Sequence, residues 1–63
     1  MRYSAKMYFD KENYVLVDLD ARDEKTARKE AISLIFNNTI TITENGVDIT
    51  YILKNVRFFE LLS

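Results

Sequence analysis

Asp18 and Asp20 stand two apart in the run YVLVDLDA, which alternates like a β-strand, so both carboxylates project from one face. Such a pair could ligate a divalent cation or share a proton in acid–base work. It lacks the company either role needs: the residues expected opposite are Lys6 and Ser4, and no third carboxylate is placed beside them. The chain has no His and no Cys. That removes imidazole bases, thiolate nucleophiles and the usual zinc ligands together. Ser4, Ser33, Ser63 and the threonines then have no base to activate them. The one Gly lies in a turn and cannot cradle a phosphate. The reading is non-enzymatic, with no metal and no cofactor.

Recognition is better supplied than catalysis. Tyr8, Tyr14 and Leu16 fall on the polar side of two alternating runs, away from the expected core, with Tyr8 opposite Leu16 and Tyr14 near the tip. Exposed aromatics beside a lysine could stack on nucleotide bases or anchor a protein partner, where Tyr is enriched. Asp10, Asp18, Asp20 and Asp48 share that side and would repel a phosphate backbone, so a protein partner is favoured. A second candidate is the stripe Lys25, Lys29, Ile32 and Phe36, basic at its start and apolar at its end. It is either a docking edge, with Lys for steering and Phe for anchoring, or a flank covered by the C-terminal tail; the second is expected. In the tail, Phe58, Phe59, Leu61 and Leu62 exceed what one helix–sheet interface needs, and are expected to close the core or meet another subunit.

Two hairpins and a helix must position these groups. Thr39 to Leu53 holds two alternating runs joined by Asn45-Gly46, the signature of a two-residue type I′ hairpin. Its register sets Ile42 against Ile49 and Thr41 against Thr50, with Ile40, Ile42, Val47, Ile49, Tyr51 and Leu53 on one face. Residues 2–10 and 14–21 form the other hairpin. A three-residue loop Lys11-Glu12-Asn13, with Asn13 in the left-handed conformation, sets Phe9 on Val15, Met7 on Val17 and Lys6 opposite Asp18. Between the hairpins a helix runs from Glu24 to about Phe36. Asp23 caps it, Glu24 pairs with Arg28, and Asn37-Asn38 ends it. Ala27, Ala31, Leu34 and Ile35 make its core stripe. Residues 54–63 are the least legible.

The expected fold is α+β in one domain, residues 1–63: β-β-α-β-β, a largely antiparallel four-stranded sheet with one helix on one face. Strand 3 is expected beside strand 1 by the right-handed route. At 63 residues the chain buries only about 60% of its unfolded surface. Nine basic against ten acidic residues give a net charge of −1, neither the basic balance of a general nucleic-acid binder nor the acidic one of a DNA mimic. No apolar run is long enough for a signal peptide or membrane span, and a cysteine-free domain this small fits a cytoplasmic setting. Abundant Phe, Tyr, Met, Ile, Asn and Lys have AT-rich codons, which suits a low-GC bacterium, its phages or plasmids. The expectation is a small protein-interaction module that binds a host protein or self-associates, as a dimer. The rival is a nucleic-acid-binding accessory protein using Arg2, Lys6, Tyr8 and Tyr14, or Arg22, Lys25 and Lys29.

Overall fold

The Asn-Gly pair does what its chemistry demands. Asn45 and Gly46 have φ of 52° and 79°, the double left-handed conformation of a type I′ turn. They join β3 (Thr39–Glu44) to β4 (Val47–Ile52). The ladder pairs Ile42 with Ile49, Thr41 with Thr50 and Ile40 with Tyr51, the register expected. The chain is described here from a computed structural model covering residues 2–63. Its elements run β1 (Ser4–Tyr8), β2 (Tyr14–Asp18), α1 (Glu24–Asn37), β3, β4, a 3-10 turn at Leu53–Asn55, and β5 (Phe58–Leu62).

The fold is α+β with antiparallel pairing throughout, but the strands divide differently from the expected single sheet of four. β2, β1 and β5 form one sheet in that order, and β3–β4 form a separate pair. Strand 3 is therefore not beside strand 1; the tail is. The amide of Arg57 donates to the Tyr8 carbonyl at 2.8 Å and starts a ladder that sets Tyr8 on Phe58, Lys6 on Glu60 and Ser4 on Leu62. The alternate residues Phe59 and Leu61 fall opposite Met7 and Ala5 and pack against the core. The β3–β4 hairpin meets the core with its apolar side, through Ile40, Ile42 and Tyr51, rather than by an edge. The Tyr51 ring stacks on Phe9 at 6.4 Å.

The first hairpin differs from expectation by two residues. Met7 faces Val15 and Ala5 faces Val17, so Lys6 opposes Leu16 and Ser4 opposes Asp18. The loop is Asp10-Lys11-Glu12, closed by the Phe9 amide on the Asn13 carbonyl at 2.8 Å. Asp10 dictates it. One carboxylate oxygen accepts from the amides of Glu12 and Asn13, each at 2.8 Å, and the other from the Asn13 side chain at 2.8 Å. That Asx turn needs no left-handed residue, and Asn13 does not have positive φ.

The helix follows its caps. Asp23 accepts from the Thr26 amide at 2.9 Å, and Asn38, at φ 74°, donates its amide to the Ile35 carbonyl. Arg28 and Glu24 pair at 3.3 Å. Ala27 and Ala31 are fully buried with Ala5, Met7, Val15, Val17, Leu19, Ala21 and Leu53. Small residues at the contact let α1 lie close on β1 and β5. Leu53 ties the layers together: its side chain is buried, and its amide donates to the Asn38 carbonyl at 2.6 Å. The expected cover over Ile32 and Phe36 is absent. The tail is used by β1, and Phe36 is 85% exposed.

Candidate interaction surface on the outer sheet face

Strand alternation gives the β2-β1-β5 sheet two unlike sides. Ala5, Met7, Val15, Val17, Phe59 and Leu61 point to the core. The other side carries three cross-strand rows: Tyr14–Tyr8–Phe58, then Leu16–Lys6–Glu60, then Asp18–Ser4–Leu62. Five of the seven residues expected at a partner surface therefore converge: Tyr8, Tyr14, Leu16, Phe58 and Leu62. Phe59 and Leu61 do not join them, because alternation turns both inward. Within the tail, the period-two pattern FFELL was the signal that separates the two pairs. Glu60 and Lys6 complete the face.

The aromatic row is tightly organised. The Tyr8 and Phe58 rings stack at 4.5 Å and 13°, and Tyr8 meets Tyr14 at 5.6 Å, tilted by 52°. The Tyr8 hydroxyl donates to Glu60 at 2.8 Å. The Lys6 ammonium lies 4.3 Å from the Tyr14 ring centroid and 5.3 Å from that of Tyr8, within cation–π range. Contact with Tyr8 holds the Lys6 pKa above the usual lysine value against partial desolvation, with Tyr14 and Glu60 adding to it. Ser4 donates to Asp18 at 3.2 Å. Around this polar centre Tyr14, Leu16, Phe58 and Leu62 remain about half exposed.

Asp18 and Asp20 go separate ways. Asp18 sits on the face beside Ser4, while Asp20 lies 3.9 Å from Arg2, and its amide donates to Glu30. Among the described residues no group of three His, Cys, Asp or Glu is placed to hold a metal ion. No helix among them is long and apolar enough to cross a membrane.

The helix stripe is displaced from its expected role. At 100° per residue, Lys25, Lys29, Ile32 and Phe36 fall within a sector of about 60°. Ala27, Ala31 and Leu34 lie on the opposite side, against the sheet. The stripe is thus the solvent pole of α1, with Ile32 42% exposed, on the side of the molecule away from the outer sheet face. Neither lysine has a carboxylate within ion-pair distance among the described residues. No protein-family model, curated protein or solved structure matches the chain.

Proposed function

We propose that this protein is a small non-enzymatic module that binds protein through the outer face of β2-β1-β5. The observation that carries the reading is the continuous row Tyr14–Tyr8–Phe58, flanked by exposed Leu16 and Leu62. A surface of packed aromatic and aliphatic side chains around a few satisfied polar groups is the make-up of a protein-binding hot spot. Its half-exposed apolar groups lose water only when something covers them.

The ring geometry favours protein over nucleic acid. Tyr8 and Phe58 stack on each other, and Lys6 covers Tyr14, so these ring faces are engaged rather than open for base stacking. Asp18, Glu60 and Lys6 give the face a net charge of −1. The unpaired Lys25 and Lys29 are on the far side of the molecule, so the basic and aromatic halves of a nucleic-acid site are not together. The absence of His and Cys from the sequence supports a binding rather than a catalytic role. A cytoplasmic setting and a mobile-element origin belong to the same proposal, on composition alone.

The test is site-specific photo-cross-linking in cells that express the protein, with the photoreactive residue at position 16 or, as control, at exposed Thr50. A discrete protein adduct from position 16 and none from position 50 is expected. No adduct at 16, or the same adducts from both, overturns the reading. So does binding of short single-stranded DNA or RNA that weakens steeply with salt and is lost in Tyr8→Ala.

A further inference from the structure

Two exposed apolar surfaces, the outer sheet face and the α1 pole, are on opposite sides of the layered fold and are complementary end for end. Along the outer sheet face, one end is the aromatic row Tyr14–Tyr8–Phe58, while Glu60 and Asp18 occupy the next two rows. Along the solvent pole of α1, one end is Ile32 and Phe36, and Lys29 and Lys25 follow. The sheet rows are about 7 Å apart along the strands, and Phe36 to Lys25 spans about 16 Å of helix axis. A helix pole laid along the strands therefore brings Phe36 and Ile32 to the aromatic row and the two lysines to the rows holding Glu60 and Asp18. Three strands are about 14 Å wide, the width one helix covers, as α1 already does on the inner side.

We infer that the occupant of the outer sheet face is a second copy of this chain, seated by the Lys25–Lys29–Ile32–Phe36 pole of its helix. Each sheet then lies between its own α1 and that of a neighbour. The charges choose this arrangement over the symmetric ones. Two poles facing each other would oppose four lysines with no acid on the stripe, and two sheet faces would bring Asp18 and Glu60 of both copies together. The incoming lysines meet two cations, both already engaged: Lys6 is held against Tyr8, Tyr14 and Glu60, and Arg2, one step past Ser4, lies 3.9 Å from Asp20. The contact is heterologous: each pairing leaves a free face at one end and a free pole at the other, so assemblies extend or close into rings. A face of about 14 by 17 Å is far below the roughly 800 Å² per partner of a standard interface. The association is therefore weak, concentration-dependent and stronger at low salt.

The inference rests on the sheet face being a protein-binding surface, and light scattering on purified protein separates the two. Wild-type mass rises above 7.4 kDa across a concentration series reaching about 1 mM, the range in which so small a contact forms. Asp18→Lys/Glu60→Lys, blocked on the sheet, stays monomeric. So does Ile32→Glu/Phe36→Asp, blocked on the helix pole. Mixed in equal amounts, the two form a 1:1 dimer that grows no further, since only one intact face and one intact pole remain. Circular dichroism checks that each variant is folded; Glu60→Lys and Phe36→Ser are the milder pair if one is not. A wild type that stays monomeric overturns the inference, as does either blocked variant associating like wild type, or a mixture with no dimer. Capture of a foreign protein at position 16 beside a strictly monomeric chain would retain the function proposed above and remove this one.

Discussion

Tyr8 and Phe58, from the first and last strands, lie ring on ring at 4.5 Å, and the Tyr8 hydroxyl reaches past that contact to Glu60. Each link crosses the β1–β5 ladder, so the pair fastens the tail to the sheet while building the exposed row. Aromatic pairs of this kind are worth about 0.5–1.5 kcal/mol beyond area burial, and an exposed hydrogen bond about 0.5–1.5. Phe58→Ala should therefore cost about 1–2 kcal/mol in urea unfolding and leave the fold intact. Tyr8→Phe should cost about 1 kcal/mol or less, and a double-mutant cycle with Glu60→Ala, which removes the acceptor, should recover most of that as coupling. Zero coupling would mean the hydroxyl prefers water.

Leu53 is the buried joint between helix and hairpin. It is fully enclosed, and its amide bonds Asn38 just after the helix. Leu→Ala in a core costs about 2–5 kcal/mol, while a domain of this length holds roughly 3–9 kcal/mol in all. Leu53→Ala should lower the thermal midpoint by tens of degrees or abolish the transition. Lys54→Ala, next along the chain and exposed, should move it by a degree or two. Circular dichroism melts decide between them.

How far these positions could be foreseen depends on whether a local rule governs them. Asn45-Gly46 permits one loop, and a slip by one residue would put Ile42 on the wrong face, so the turn and register of the second hairpin were legible, though Val47 stays 59% exposed and Leu53 leaves the strand for the 3-10 turn. In the first, a slip by two leaves Met7 and Val15 on the core side either way, and facing patterns are blind to it. The carboxylate of Asp10 breaks the tie. The position of β5 was out of reach for another reason: which edge Phe58–Leu62 joins depends on contacts with β1 at the far end of the chain. The outward placement of Tyr8, Tyr14 and Leu16 followed from alternation, but their union with Phe58 and Leu62 needed that non-local pairing.

Two depressed carboxylates set the acid limit. Asp10 is held below the usual carboxylate range first by the Asn13 side chain, then by the Glu12 and Asn13 amides. Asp23 is lowered by the Thr26 amide and hydroxyl. With the folded pKa below the unfolded one, the stabilisation is full above about pH 4 and disappears as pH falls through the folded value. Urea midpoints should be flat with respect to these groups from pH 7 to 5 and fall below pH 4. Asp10→Ala should start lower at pH 7 and lose less between pH 4 and 2. An acid limb as steep as wild type in that variant would show that other groups dominate it.

Every residue of β3 and β4 is exposed or only half-buried, whereas β1 buries Ala5 and Met7 completely at the centre of its sheet. A two-stranded ribbon is marginal by itself; this one is held by the apolar side it lays on the core, by Leu53 and by the threonine hydroxyls paired at 2.9 Å across Thr41 and Thr50. It should therefore open before the rest, without unfolding the three-stranded sheet. Native-state hydrogen exchange should show the ladder amides of Ile42, Ile49 and Tyr51 exchanging through a low-energy local opening, and those of β1 only near the global limit. Gly46→Val, whose side chain would have open space around it but a φ of 79° to maintain, should widen that gap by lowering the hairpin's opening energy alone. Equal losses of protection in β1 and β3 would instead make the two sheets one cooperative unit.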